Sequence, residues 1–255
     1  MSADPARFDL DAINRTLEGS SATEILTWCC ATFPHDKIKL STSFGAEGMV
    51  VLDLLAHLVK KPRVFFIDTG RNFQETYDIW QQVTERYGIA IEAYSPDPAD
   101  IEALQRPAGP NMFYQGVEQR KQCCYVRKIK PLKRALADAE VWVAALRRSQ
   151  SEARADTPVF SHSTEHGVFK LCPIANWSED DVWEYIRNNA VPYHALYDKG
   201  YPSIGCAPCC RPVRPAEPQR ASRWWWEKDA QKECGIHIEN GKVAGIKTSG
   251  PTWTI

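Results

Sequence analysis

The cysteines carry the chemistry that is most visible in this sequence. Nine cysteines lie in the 255-residue chain, and the stretch 205–238 alone holds Cys206, Cys209, Cys210 and Cys234. An odd count in a chain of this length argues against the disulfide framework of a small secreted domain. Clustered cysteines in such a chain are more typical of metal binding or of redox chemistry.

Two cysteine pairs have the spacing of a metal site. Cys206 and Cys209 form a C-x-x-C pair in a proline-rich loop, and Cys123 and Cys124 are the other pair that could complete a set of four ligands. Adjacent residues of a helix point about 100° apart, which suits the separated corners of a cubane better than one small ion. We therefore predict one [4Fe–4S] cluster per subunit, and structural zinc stays open as the alternative. Cys210 is interpreted as a bystander.

The segment "KQCCYVRKIKPLKR" surrounds the adjacent pair with six basic residues: Lys121, Arg127, Lys128, Lys130, Lys133 and Arg134. Such charges would stabilise an anionic cluster, and they could hold an anionic substrate beside it. Lys128 follows Cys124 by one helical turn, so we predict a functional role for it. Lys130, Lys133 and Arg134 are interpreted as a solvated basic face.

Cys234 stands apart in the segment "KECGIH", with Lys232 before it and His237 three residues after it. A cationic setting lowers the pKa of a thiol and raises its thiolate fraction, which is the environment of a nucleophile. A structural cysteine is the alternative. Cys29, Cys30 and Cys172 lie in apolar helix-like or strand-like segments and are interpreted as buried small apolar residues.

The elements that must position these residues alternate along the first half of the chain. "KIKLSTS", "RVFFID", "IAIEAYS" and "VWVAALR" indicate strands, and helical patterns lie between them. This order predicts an α/β fold with a mostly parallel sheet and helices on both faces. Residues 1–200 are expected to form the body and residues 201–255 a site-building tail, together one structural domain. Ser178 is a predicted helix N-cap, with Asp181 as its capping-box partner.

Ligands of open α/β sheets bind at the carboxyl ends of the strands. The loop "STSFGAEG" (41–48), with Ser43 and Gly45, leads from a strand into a helix N-terminus and could hold a phosphate. It lacks the Gly-Lys-Ser/Thr of a Walker A loop. The loop "IDTGRNF" (67–73) ends the next strand. Taken alone, either loop could also be an ordinary turn.

The overall composition excludes several classes of protein. The formal net charge is −1, so the chain as a whole is not expected to bind nucleic acid. The N-terminal residues include Asp4, Asp9 and Asp11 where a signal peptide would be basic and apolar. The most apolar stretch, "GMVVLDLLAHLV", is too short and too polar to span a bilayer. We expect a cytoplasmic protein with no membrane partner.

Four motifs in this order, "CCYVRKIKPLKRAL", "GCAPCC", "RASRWWWE" and "KECGIH", resemble the assimilatory adenosine 5'-phosphosulfate (APS) reductases. These are iron–sulfur members of the 3'-phospho-APS (PAPS) reductase family. The resemblance extends from "STSFGAEG" through "IDTGRNFQETYD" and "LRRSQSEAR" to "KECGIH". The combination of "CC" with C-x-x-C separates them from the PAPS reductases that retain only the last cysteine. The resemblance implies an adenine nucleotide α-hydrolase-like fold.

The resemblance also implies a reaction and a role for each site residue. The Cys234 thiolate would attack the sulfur of APS and expel AMP, and thioredoxin would release sulfite from the resulting S-sulfonate in sulfate assimilation for cysteine biosynthesis. His237 would lie near the nucleophile. A homo-oligomer is expected. The remaining implied contacts are sulfate and phosphate cations (Lys128, Arg154, Arg220, Arg223), the phosphate cradle (Ser43, Gly45), adenosine contacts (Ile67, Thr69), a flanking ring (Trp224) and cluster ligands (Cys123, Cys124, Cys206, Cys209).

Three positions depart from the family pattern: Phe44 replaces a small hydroxyl residue, Gly48 an aspartate and Ala145 a glycine. Loss of an acidic side chain near the ribose raises the hypothesis of relaxed exclusion of a 3'-phosphate. Two rival functions are less consistent with the sequence. A zinc-stabilised docking protein leaves "KECGIH" unexplained, and an ATP-pyrophosphatase would require an "SGGxDS"-like loop.

Overall fold

The computed structural model describes residues 4–227, 235–239 and 242–243. A six-stranded sheet with the order β3-β2-β1-β4-β6-β5 forms its centre, and β5 is the antiparallel member at one edge. The other neighbouring pairs are parallel, so the predicted mostly parallel α/β fold is confirmed. The strands are β1 (Ile38–Thr42), β2 (Arg63–Ile67), β3 (Ile91–Tyr94), β4 (Val141–Ala144), β5 (Phe160–Ser163) and β6 (Val168–Leu171).

Helices connect and cover these strands. Helix α3 packs against α2, α8 and β1, whereas α7 packs against β2 and β3. Ser178 caps α8 in a reciprocal box with Asp181, as predicted. Among the described residues, none of the helices has the length and apolar character needed to cross a bilayer. The helices are α1 (Leu10–Leu17), α2 (Ala22–Thr32), α3 (Ala46–Leu58), α4 (Gln74–Tyr87), α5 (Pro98–Gln105), α6 (Val117–Cys124), α7 (Lys130–Leu136) and α8 (Glu179–Asn188).

The amino ends of the central strands carry a charged network rather than a site. Lys39 of β1 is fully buried, and its ammonium group contacts Asp138 at 2.7 Å and Glu92 at 3.1 Å. Arg63 of β2 donates to the same two carboxylates at 2.8 and 2.9 Å. Burial of a lysine is tolerable only when such partners satisfy its charge. This network ties β1, β2 and β3 to the turn that precedes β4.

The chain after residue 200 runs over the carboxyl ends of the strands in short 3-10 turns. Two of these turns are Ala207–Cys209 and Gln219–Ser222, and a further turn, Tyr197–Lys199, directly precedes this part of the chain. Beyond them, β7 (Ile238–Glu239) and β8 (Lys242–Val243) form a small antiparallel hairpin. This arrangement brings residues that are distant in sequence to one end of the sheet.

Candidate active site

A cavity of about 230 Å³ opens at the carboxyl end of the sheet. Its wall includes ten of the residues predicted to bind substrate or to act in catalysis: Ser43, Gly45, Ile67, Thr69, Lys128, Arg154, Arg220, Arg223, Trp224 and His237. They come from strand ends, the segment after α6, and the loops after residue 145. Five basic or imidazole side chains among them make the cavity a site for an anion.

The first strand–helix loop turns sharply at Phe44. This residue has a φ of 58°, and its amide N–H donates to Thr42 Oγ1 at 2.9 Å. The Phe44 ring is buried against Phe66 and Trp80, so it points into the core and away from any ligand. Phe44, which replaces the small hydroxyl residue of the family pattern, therefore contributes to core packing. The neighbouring residue Ser43 lines the cavity.

Gly48 has a steric reason to be glycine in this chain. A Cβ at Gly48 would lie 2.8 Å from Oγ1 of Thr42, which is closer than real Cβ contacts allow. An acidic side chain here would displace the end of β1 or the first turn of α3. An acidic group nevertheless reaches the cavity from the preceding residue, Glu47. Its carboxylate accepts two N–H bonds from Arg147, at 2.9 and 3.0 Å.

Tyr197 lines the same part of the cavity, and sequence reasoning missed it. Its hydroxyl accepts the amide N–H of Ala46 at 2.9 Å, at the first turn of α3. Burial and the nearby Glu47 raise the pKa of Tyr197, so the phenol remains protonated. No local motif marks this tyrosine, because 151 residues separate it from its amide partner.

The arginines come from two different loops. Arg154 is buried at the end of the 3-10 turn Glu152–Arg154 and donates to Gln150 at 2.5 Å. Arg223 is also buried and donates to the carbonyl of Ile204 at 3.3 Å. Arg220 reaches the cavity from the same segment as Arg223. Guanidinium groups held in this way are suited to sulfate and phosphate oxygens.

Trp224 links the arginines to the cysteines. Its ring is buried, and the guanidinium groups of Arg120 and Arg223 lie 4.4 and 4.8 Å from its ring centroids. Arg120 also forms a buried ion pair with Glu227 at 2.8 Å. The Trp224 backbone has a φ of 42°, an uncommon value for a bulky residue. Packing and cation–π contacts on both sides hold the residue in this conformation.

The four predicted ligand cysteines belong to one buried cluster. Cys124, Cys206 and Cys209 are buried among apolar side chains that include Phe113 and Trp224, and Cys123 packs against them. The Cys209 thiol donates to Cys206, which lowers the pKa of Cys206, and Lys128 and Thr69 act in the same direction. The distance from Thr69 Oγ1 to Cys206 Sγ is 3.2 Å.

Cys123, Cys124, Cys206 and Cys209 are therefore the residues that could hold a metal group. Across residues 4–227 and the short described segments, no three Cys, His, Asp or Glu side chains converge as ligands of a single ion. The four cysteines supply sulfur ligands, a donor type that fits iron–sulfur or zinc. A thiolate at Cys206, favoured by the nearby charges of Lys128 and Arg223, suits both groups.

A π-helical turn, Tyr125–Ile129, follows the adjacent cysteines directly. It places Arg127 and Lys128 in the interior: Arg127 donates to the carbonyl of Thr69 at 2.6 Å, and Lys128 lines the cavity. Lys128 and Cys206 both line the cavity, and the charge of Lys128 lowers the pKa of Cys206. In contrast, Lys130 is half-exposed and pairs with Asp100 at 2.7 Å, as expected of a solvated face.

His237 enters the cavity from the C-terminal segment and stacks on Trp142, with ring centroids 5.2 Å apart. Burial lowers the pKa of His237, and Lys170, Arg154, Arg220 and His166 lower it further. The predicted nucleophile, Cys234, lies outside the described residues, and it directly precedes Gly235 in the sequence.

The remaining cysteines lie away from the cavity wall. Cys29 and Cys172 are buried in the main core, and burial raises the pKa of Cys29. Cys30 is half-buried, and burial raises the pKa of its thiol as well. Cys210 is buried, and its backbone forms a short β-bridge with Arg223.

Comparison with known proteins places this architecture in a family. The sequence model of the phosphoadenosine phosphosulfate reductase domain matches residues 37–212. The chain belongs to this family. It is 44% identical over 218 residues to the adenosine 5'-phosphosulfate reductase of Allochromatium vinosum, with 86% of this chain and 84% of the relative covered.

Solved structures support the same assignment. The phosphoadenylyl-sulfate (PAPS) reductase of Candida auris, in a phosphate complex, aligns with a TM-score of 0.70 and 30% identity, covering 84% of this chain and 99% of that chain. The FMN adenylyltransferase of Candida glabrata aligns with a TM-score of 0.55 and 13% identity, covering 89% of this chain and 76% of that chain. The second likeness concerns the fold alone, which is the adenine nucleotide α-hydrolase-like fold expected for this family.

Proposed function

We propose that this protein reduces adenosine 5'-phosphosulfate to sulfite and AMP, with thioredoxin as the electron donor, in assimilatory sulfate reduction for cysteine biosynthesis. One observation carries the proposal: a single cavity gathers Lys128, Arg154, Arg220 and Arg223 beside a cluster of four cysteines. The names of the curated relatives agree with this substrate. The proposed place of action is the cytoplasm, and the proposed assembly is a homo-oligomer.

The chemistry begins with Cys234 as the nucleophile. Its thiolate attacks the sulfate sulfur, an S–S bond forms, and the S–O bond to the phosphate breaks so that AMP leaves with the electron pair. An anion that attacks an anion needs preorganised positive charge. The buried Arg154 and Arg223, with Arg220 and Lys128, supply that charge from two sides of the cavity.

Thioredoxin completes the reaction by thiol exchange. One of its thiolates attacks Sγ of the Cys234 S-sulfonate, and sulfite leaves with the electron pair of the broken S–S bond. The second thiol of thioredoxin then resolves the mixed disulfide and returns Cys234 to the thiolate. Two electrons pass from the dithiol to the sulfur, so the balance requires no other reductant.

We further propose that Cys123, Cys124, Cys206 and Cys209 hold a [4Fe–4S] cluster. Bound there, it would supply an anionic group that tunes the electrostatics of the cavity through Lys128. The protein groups that support this proposal are the Thr69 hydroxyl at 3.2 Å from Cys206 and the guanidinium of Arg223, both of which favour the Cys206 thiolate.

Iron content is the first test of the cysteine cluster. Protein purified without oxygen should be brown and contain about four irons per chain. Cys123→Ser should lose colour and iron, whereas the matched variant Cys30→Ser, at a half-buried cysteine elsewhere, should keep both. Colourless protein with stoichiometric zinc would show that the four cysteines bind a structural metal and not an iron–sulfur cluster. Protein without any metal would refute the assignment of these cysteines as ligands.

The reaction itself is tested with Cys234→Ser. Wild-type protein incubated with APS but without reductant should gain the mass of one SO₃ group on the peptide that contains Cys234. Reduced thioredoxin should then release sulfite. The variant should bind AMP normally yet form neither product. Sulfite release by Cys234→Ser at the wild-type rate would refute the S-sulfonate route.

PAPS remains the competing substrate, because the family model and a solved relative carry that name. The carboxylate of Glu47 in the cavity wall disfavours an additional phosphate by charge repulsion. Steady-state rates with both nucleotides measure the selectivity. A preference for APS above about a thousandfold, or about 4 kcal/mol, would refute the hypothesis that loss of an acidic residue at Gly48 relaxes selectivity.

A further inference from the structure

Trp142 is a buried residue of the sheet whose ring meets three basic side chains. It belongs to β4 and has no exposed surface. His237 stacks on the ring with an interplanar angle of 17°, and His166 meets it edge-on at 5.7 Å. The ammonium of Lys170 lies 4.9 Å from the ring centroid. Core packing alone does not require a tryptophan to collect cations and imidazoles in this way.

The orientation of the indole is fixed from the side of the cavity. Trp142 Nε1 donates to Ser41 Oγ at 2.7 Å, and Ser41 is itself part of the cavity wall. Both residues belong to adjacent central strands, where the backbone is held by ladders on both sides. The ring is therefore held rigidly within the sheet, and its bond to Ser41 links it to the cavity wall.

Three consecutive residues after Cys234 pack against this part of the protein, and the last of them contacts the Trp142 ring. Gly235 has a φ of 89°, and a Cβ there would lie 3.5 Å from Ile129 Cδ1. Ile236 packs against the main hydrophobic core, and His237 stacks on Trp142. The contacts of Gly235 and Ile236 are apolar, and apolar contacts do not fix an orientation. The ring stack is the contact that defines the position of the segment in the cavity.

We propose that Trp142 is a positioning residue for the reduction: its indole face docks His237 and thereby holds the segment after Cys234 at the mouth of the cavity. The inference rests on the proposed function and deepens it, since it names a contact that holds the residues directly after Cys234 beside the cavity. Trp142 contacts no substrate in this scheme and acts only through His237.

The cations around His237 provide a readout that a merely structural tryptophan would not change. The groups that face the imidazole are Lys170 of β6, His166 of the preceding turn, and Arg154 and Arg220 of the cavity wall. They and burial keep it neutral. An anion bound by the two arginines offsets their charge and favours the imidazolium. The stack on Trp142 holds the imidazole near these two arginines. The pKa of His237 should therefore rise when an anionic nucleotide binds to them.

The experiment follows the histidine ring signals by NMR in the full-length protein, with and without AMP, and His237→Gln assigns the signal. In wild-type protein the His237 signal should show the upfield shift of a stacked ring, and its pKa should rise when AMP binds. Trp142→Phe keeps a stacking ring and should preserve both effects. Trp142→Leu should abolish both, while Trp28→Phe, which packs against Phe33 and Phe160 away from the cavity wall, should change neither.

Turnover provides the second readout. Because an aromatic pair contributes modestly beyond its burial, Trp142→Leu should lower kcat about tenfold, with AMP affinity nearly unchanged. His237→Leu breaks the stack from the partly buried side and covers the case in which Trp142→Leu does not fold. If the two residues act as one unit, the double variant should lose no more than the larger single loss.

Two results would overturn the inference. One is a folded Trp142→Leu protein with an unchanged His237 signal, and the other is full additivity of the two kcat losses. The NMR titration with AMP needs no turnover. A protein that fails to reduce APS would therefore refute the proposed function, while the docking of His237 would still be tested separately.

Discussion

The two ends of the central sheet both bury positive charge, but they do so in different ways. At the amino end, Lys39 and Arg63 are matched by the carboxylates of Glu92 and Asp138. At the carboxyl end, Arg154 and Arg223 donate to an amide oxygen and a main-chain carbonyl, both neutral. The first arrangement pairs cations with carboxylates away from the cavity, and the second places guanidinium groups in the cavity wall. Burial of a cation by itself therefore does not identify a binding site.

The largest effect should come from a cation at the cavity end. Arg154→Ala should lower kcat/KM for APS about a hundredfold, because a buried guanidinium opposite an anion contributes more than about 2.7 kcal/mol. Thermal stability should change little. Arg187→Ala, at an exposed position on α8, is the matched control. If Arg154→Ala lost stability but kept its kcat/KM, the cations at the carboxyl end would be structural, like those at the amino end.

A cation at the amino end should show the opposite profile. Lys39→Met should lower the free energy of unfolding by about 2 kcal/mol, because the partly exposed carboxylates of Glu92 and Asp138 lose their bonds to the ammonium group. Denaturant titration measures this loss, and kcat/KM under native conditions should stay at the wild-type value. The control variant Lys61→Met, at an exposed lysine, should change neither the free energy of unfolding nor kcat/KM. Reduced catalysis in folded Lys39→Met protein would show that the two ends are coupled.

The acid sensitivity of the amino end sharpens the comparison further. Burial raises the pKa of Asp138, but hydrogen bonds from Lys39 and Arg63 outweigh it and lower the pKa to about 2. The stability that Asp138 contributes is complete above its ordinary pKa of about 4 and is lost as the pH falls toward 2.

Because half of the Asp138 side chain is exposed, its contribution should be only about 1 kcal/mol. Asp138→Asn should remove this part of the acid transition, as followed by unfolding free energies between pH 2 and pH 5. Asp156→Asn, at an exposed position, should leave the pH profile intact. An unchanged profile in Asp138→Asn would mean that the network does not stabilise this end.

The smallest effect should come from the exposed face beyond the π-helical turn. Lys130→Ala removes a solvated pair with Asp100 and should cost at most about 0.5 kcal/mol. Calorimetry with AMP should give the wild-type affinity. Lys128→Ala, two residues earlier, should weaken AMP binding about tenfold, or about 1.4 kcal/mol. Equal losses in the two variants would mean that position relative to the cavity does not decide which lysines matter.

The features that could be predicted from the sequence are those with a local signature. The strands around Leu40 and Phe65, the capping box of Ser178 and Asp181, and the burial of Cys29 follow from periodicity and residue type. The set of residues that line the cavity followed from the family resemblance, because motif order fixes which loops meet at the carboxyl end of the sheet.

The features that escaped prediction depend on contacts between distant residues. Tyr197 meets Ala46, Glu47 meets Arg147, and Arg120 meets Glu227, each across about a hundred residues or more. The antiparallel direction of β5 was likewise not foreseen, since a short connection to an edge strand leaves no mark on hydrophobic periodicity. Tertiary packing decides these pairs, and a single sequence does not reveal them.

The π-helical turn Tyr125–Ile129 has a genetic consequence. A π turn accommodates one residue more than an α-helical turn, so its closest α-helical counterpart is a chain with a single-residue deletion. Such a deletion would rotate the preceding Cys123–Cys124 pair by about 100° relative to α7, away from Cys206 and Cys209. One codon could thus uncouple the cysteine pair from its partners in evolution, although every cysteine would still be present in the gene.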